Sequence, residues 1–146
     1  MASVELREIT RETVREVLAL NVDPSQSALV APNAVSIAQA YFEPDAWFRA
    51  IYSDDAPVGF VMIIDVPAKA FTYVWRIMID GRHQGRGHGR EAMRLVVERS
   101  RSLPGIDALV LSHADRDGNA GPFYRRLGFE YTGEIEDGEV MMRLEL

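Results

Sequence analysis

The run Arg82-His83-Gln84-Gly85-Arg86-Gly87-His88-Gly89-Arg90 constrains this chain more than any other segment. It follows Phe71–Ile79, whose aromatic and β-branched residues predict a strand. It opens Arg90–Leu103, where Met93, Val96, Val97 and Ser100 share one face of an amphipathic helix. Glycines at alternate positions let the backbone turn sharply and approach a ligand closely. The N–H groups at a helix start carry partial positive charge and bind phosphate oxygens. Arg82, Arg86 and Arg90 add full charges around them, and His83 and His88 read as loop residues. A P-loop would need a Lys-Ser/Thr pair after its last glycine, but Arg90-Glu91 follows. A dinucleotide fingerprint, Gly87-x-Gly89-x-x-Ala92, lacks the repeated βαβ units it requires. A plain surface turn is the remaining alternative to a phosphate cradle.

The rest of the chain predicts one domain, residues 1–146, without repeats or linkers. Val4–Ile9 reads as a strand, Arg11–Leu20 as a helix capped by Thr10, and Asn33–Tyr41 as a second helix. Trp47–Tyr52 and Val58–Val66 are strands around a polar turn. Ala108–Leu111 reads as a short buried strand and Asn119–Leu127 as a short helix closed by Gly128. Phe129–Ile135 and Val140–Leu146 flank an Asp137-Gly138 hairpin signal. The expected class is α/β: a mixed, mostly antiparallel sheet with one central parallel β-α-β crossover and helices on both faces.

Charge is unevenly distributed. Residues 1–75 sum to −5, residues 76–126 to +4 and residues 127–146 to −5. Such windows arise by scatter, or they mark an anionic ligand held centrally and a cationic partner elsewhere. The net charge of −6 and the compactness of the basic stretch argue against nucleic acid. No apolar run is long enough for a membrane-spanning helix. The first residues lack the basic-then-apolar order of a secretory signal. With no cysteine, disulfides, thiolate ligands and a Cys-borne acyl intermediate are excluded, and a cytoplasmic home is expected. No His/Asp/Glu cluster has zinc spacing, so no metal is expected.

Gln84-x-x-Gly87-x-Gly89 resembles the Gln/Arg-x-x-Gly-x-Gly/Ala signature of the GNAT superfamily of acetyl-CoA-dependent N-acetyltransferases. Asn119 with Phe123-Tyr124-Arg125-Arg126-Leu127-Gly128-Phe129 resembles that family's C-terminal half, and the similar core spans about residues 57–131. Ala31-Pro32-Asn33, Phe60-Val61-Met62, Trp75 through Asp80 and Gly138 through Leu144 look like its bacterial diamine/spermidine acetyltransferase branch.

The resemblance implies that amides of Gln84, Gly85, Arg86, Gly87, His88, Gly89 and Arg90 cradle the coenzyme A pyrophosphate. Backbone groups of Ile77 and Ile79 would hold the pantetheine arm, and an N–H of Met78 or Ile79 would polarise the acetyl oxygen. Tyr124 would protonate the coenzyme A thiolate, a transfer that a phenol of pKa near 10 can make to a thiol of about 8.5. Asn119 would contact the cofactor or cap the short helix. Many relatives carry a glutamate on the strand before the loop; Trp75 and Arg76 stand in that neighbourhood here, so that base is not carried over. His113 and water-relayed carboxylates remain the candidate bases. The amine site is expected where the N-terminal helices meet the sheet, with Tyr41, Phe42, Glu43, Trp47 and Trp75 as candidates and Asp45, Asp54, Asp55, Glu134, Glu136 and Asp137 as further acids. A small primary amine such as a polyamine, a protein N-terminus or lysine, and a non-catalytic acyl-CoA module remain open, as does a homodimer. With no thiol, transfer would be direct.

Overall fold

Alternation along the central strands sorts their side chains onto two faces, each covered by helices. The computed structural model describes residues 3–146. In chain order the elements are β1 (Val4–Arg7), α1 (Val14–Leu18), α2 (Asn33–Ala40), β2 (Ala46–Ser53), β3 (Ala56–Val66), β4 (Phe71–Ile79), α3 (His88–Arg101), β5 (Ala108–Ala114), α4 (Gly121–Arg126), β6 (Glu130–Glu136) and β7 (Glu139–Glu145). They build one seven-stranded sheet in the order β1-β2-β3-β4-β5-β7-β6. Only β4 and β5 pair in parallel, joined through α3. The fold is therefore the mixed α/β sheet with one parallel crossover that the sequence predicts.

Ile51, Val61 and Ile63 pack with Ala92, Met93 and Val96 of α3 and with Phe129. Their strand neighbours Ala50, Tyr52, Phe60 and Met62 face the other way, onto Val17 and Leu20. This is the period-2 rule of strands meeting the 3.6 period of α3. No helix among the described residues is long and apolar enough to cross a membrane.

Boundaries shift for local reasons. The first helix begins at Val14, because Thr13 turns its Oγ1 back to accept the Thr10 N–H at 2.9 Å rather than capping forward. The strand expected at Ala108–Leu111 runs on to Ala114, since its pairing with β7 extends to Glu139. Ser112 and His113 thereby become strand residues. The last hairpin is also inverted in space: β7, not β6, lies beside β5.

Candidate active site

The parallel pair β4–β5 comes apart part-way along. Its register covers only Phe71–Tyr73 against Ala108–Val110, yet β4 continues to Ile79 and β5 to Ala114. Where pairing stops, β4 carries a bulge. Met62 faces Arg76 and Ile63 faces Val74, leaving Trp75 as the extra residue. A bulge bends its strand and increases the local twist. Into this split opens a cleft of about 1220 Å³. The segment around Leu29–Pro32 roofs it, β5 and α4 form its far wall, and the glycine loop closes one end.

The split leaves backbone groups of β4 without strand partners. Asp80 N–H donates to Val58 O at 2.8 Å, next to the facing pair Gly59–Ile79. Antiparallel ladders alternate bonded and non-bonded pairs, so Ile77 and Ile79 turn their N–H and C=O groups toward β5 and the cleft. The Ile79 carbonyl accepts from Gln84 Nε2 at 2.9 Å, and the same amide nitrogen donates to Gln26 Oε1 at 2.9 Å. Gln84 thus shapes the loop by tying it to the strand end and to the roof.

Gly85 and Gly87 have φ of +77° and +82°, the left-handed region that an L side chain resists. Gly87 is the N-cap residue of α3, and no side chain caps the helix. The first N–H groups of this 14-residue helix are therefore free for an anion. Gly89 serves packing instead: a Cβ there would stand 3.2 Å from the Phe123 ring. His88 and Arg90 line the cleft, whereas Arg86 does not. Burial, with help from His83 and Arg86, pushes the His88 imidazole pKa down and favours its neutral form.

Arg82 faces Asp80 rather than the cleft. The buried Asp80 carboxylate accepts from Arg82 N at 3.0 Å, Arg82 Nε at 2.9 Å and Asn21 N at 3.0 Å. Burial alone would raise this carboxyl; the Arg82 guanidinium and the two backbone N–H groups hold it down to about 2. Asp80 thereby locks the loop start to the roof segment. A depressed carboxyl stabilises the fold above its ordinary value of 3.8, and that contribution vanishes as pH falls from about 4 toward 2. Asp80→Asn is expected to destabilise the protein by about 1–3 kcal/mol at pH 7. Melting curves at pH 7 and pH 2 check this: the gap between variant and parent should close at the lower pH.

Tyr124 lies on α4 against Phe123, Phe129 and His113, with ring centroids 5.4, 5.9 and 6.4 Å away. It lines the cleft, and burial pushes its phenol up to about 12. His113 also lines the cleft. Its Nδ1 meets the Ala114 carbonyl at 2.9 Å, so Nδ1 carries the proton, and Nε2 accepts from Tyr131 OH at 3.0 Å. Both ring nitrogens of His113 are thus engaged at the cleft wall. Asn119 is likewise committed: Oδ1 accepts from Gly121 N–H and Nδ2 donates to Arg116 O, each at 2.8 Å. From the cleft wall it satisfies the first N–H of α4.

Of the residues expected around the amine, only Trp75 lines the cleft. Tyr41 is 83% exposed at the end of α2, and Glu43 is exposed beyond it. Trp47 belongs to the α3 face, between the guanidinium groups of Arg49 and Arg99 at 4.2 and 4.5 Å from its ring. Strand alternation and the outward end of α2 explain these placements. The cleft instead presents Arg76, Ser112 and Glu139. Burial lowers the Arg76 pKa; its Nε is buried without a partner, while its other nitrogens reach Trp75 O and Gln39 Oε1, each at 3.1 Å. The signal for Glu139 was its position after the Asp137-Gly138 turn, which points to a strand start but not to its neighbour.

Residues 7–129 match the acetyltransferase (GNAT) family. The chain belongs to that family. It is an N-acetyltransferase whose donor is acetyl-CoA. Over 99% of both chains it is 26% identical to the spermine/spermidine N(1)-acetyltransferase of Bacillus subtilis. Its fold is similar to that of an acetyltransferase from Thermus thermophilus, with a TM-score of 0.75 at 21% identity over 99% of this chain and 97% of the other. The PaiA N-acetyltransferase of Thermoplasma acidophilum, solved in complex with coenzyme A, superposes with a TM-score of 0.71 at 14% identity over 99% of each chain. The cleft of this GNAT protein suits such a donor: uncapped helix amides at one end, a free β4 edge along its length and a tyrosine hydroxyl beside it. Among the described residues no cluster of His, Cys, Asp or Glu could hold a metal ion.

Proposed function

We propose that this acetyltransferase moves the acetyl group directly from acetyl-CoA to a primary amine of a small polycationic acceptor of the polyamine class. The observation that carries the reading is the polarity of the cleft. Its glycine loop offers backbone N–H groups and Arg90 for phosphates, while Glu139, next to the turn of the β6–β7 hairpin, adds a carboxylate to its wall. Glu136 faces Glu139 across that hairpin, and Glu134 and Asp137 are exposed beside it. These carboxylates suit the additional ammonium groups of a polyamine. The full-length similarity to a spermine/spermidine acetyltransferase supports the same acceptor class.

In this reading the amides at the start of α3 hold the pyrophosphate, and the free edge of β4 aligns the pantetheine arm. The neutral amine attacks the thioester carbonyl; the C–N bond forms and the C–S bond breaks. Tyr124, kept protonated by its buried setting, donates to the departing thiolate. The test is thiol release with acetyl-CoA across spermidine, spermine, diamines, amino acids and a peptide N-terminus. Polyamines should give the highest kcat/KM. Preferential turnover of the peptide or of an amino acid would overturn the acceptor class.

A further inference from the structure

We infer that Glu139 is the general base of the reaction, taking the proton from the acceptor ammonium. The inference rests on the proposed acceptor reading, because an ammonium must lose a proton before it attacks. An aliphatic amine of pKa near 10 is almost wholly protonated at pH 7.

Glu139 is the only carboxylate among the described residues that line the cleft. It is held in place by a chain of two hydroxyls drawn from two other strands. Ser112 Oγ on β5 donates to Glu139 Oε1 on β7 at 2.8 Å. With its proton so directed, Ser112 Oγ accepts from Tyr73 OH on β4 at 2.7 Å. Tyr73 sits at the last paired position before β4 and β5 part, so the chain spans the apex of the split. Among the described residues, Glu139 Oε2 has no hydrogen-bond donor and is free to receive a proton.

The charged and titratable groups around Glu139 fit this role. Arg76 lines the same cleft and makes no ion pair with Glu139, yet each lies within the other's field. Its cation disfavours a nearby ammonium and so eases that ammonium's deprotonation. Glu136, opposite on β6, is exposed and draws the polycation inward. Tyr73 is a phenol raised above its ordinary value by burial, and His113 is engaged by Ala114 and Tyr131.

The step balances without a further reactant. The ammonium passes one proton to Glu139, giving a neutral amine and a carboxylic acid. The amine attacks the thioester carbon and the thiolate leaves. Tyr124 supplies the proton to sulfur and regains one from the newly acylated nitrogen. Glu139 then releases its proton to water.

The experiment compares Glu139→Gln with the parent, using the best amine from the panel, from pH 6 to pH 10. Gln keeps an oxygen for Ser112. We expect kcat to fall about 100-fold at pH 7 with the KM for acetyl-CoA unchanged. The deficit should shrink toward pH 10, where the free amine is itself largely neutral. A deficit that is constant across pH, or a rise in amine KM with kcat unchanged, overturns the assignment. Ser112→Ala, a positioning variant, should show about a tenfold loss with the same pH trend, and Ser112→Thr should restore the rate. A parent that prefers a non-polyamine amine overturns the acceptor reading, while the pH-dependent ratio still decides Glu139. A parent that acetylates no amine overturns both.

Discussion

Replacing Tyr124 by Phe is expected to lower kcat about 100-fold while leaving acetyl-CoA affinity and the melting temperature unchanged. The substitution removes one hydroxyl and keeps the ring that packs against Phe123, Phe129 and His113. No hydrogen bond to that hydroxyl exists among the described residues, so its loss leaves no orphaned partner. A phenol raised to about 12 remains a proton donor throughout the working pH range. Burial that disfavours the phenolate disfavours the coenzyme A thiolate as well, so both anions are avoided if the proton moves as the C–S bond breaks. In the proposed reaction the phenol is reprotonated from the acylating nitrogen, whose proton becomes acidic once the C–N bond forms. Steady-state kinetics and a thermal melt check this together. Unchanged turnover would reduce Tyr124 to a packing residue.

Gly87→Ala is expected to raise the KM for acetyl-CoA at least tenfold, and a matched substitution isolates the reason. Gly87 and Gly105 share a φ of +82°, and a Cβ at either meets nothing within 4 Å. The backbone strain of an alanine is therefore alike at both, about 1 kcal/mol, or a few degrees of melting temperature. They differ in place. Gly87 lines the cleft at the N-cap of α3, whereas Gly105 lies in the turn after that helix. If the loop holds the phosphates as proposed, a Cβ at Gly87 takes up space that their oxygens would need. Both variants should melt slightly early, but only Gly87→Ala should bind acetyl-CoA weakly, as read by titration calorimetry. Equal affinity in the two variants would show that the loop does not hold the phosphates.

Elements governed by neighbours in sequence were legible. The strand–glycine loop–helix passage was readable because left-handed glycines and an apolar helical stripe are local properties. The same holds for the Asp137-Gly138 hairpin, where Asp137 and Gly138 both take positive φ. Side-chain direction at the ends of elements was less legible. Trp47 and Tyr41 were plausible pocket residues until strand alternation sent one to the α3 face and the outward end of α2 sent the other to solvent. His113 offered an imidazole, but its partner Tyr131 lies 18 residues away, beyond what local sequence pattern records.

The sequence by itself determined the strand, glycine loop and helix start proposed to face the phosphates. Glycine stereochemistry, the helix start and the adjoining strand are all contained in residues 71–101. It also determined that no cysteine carries the acyl group. The side proposed to receive the amine was decided by tertiary structure alone. The insertion of β7 between β5 and β6 sets Glu139 beside Ser112, 27 residues earlier, and the bulge at Trp75 opens the space between β4 and β5. Strand order and strand divergence depend on pairing between distant segments, and residue periodicity records which face a side chain takes but not which strand lies next to it.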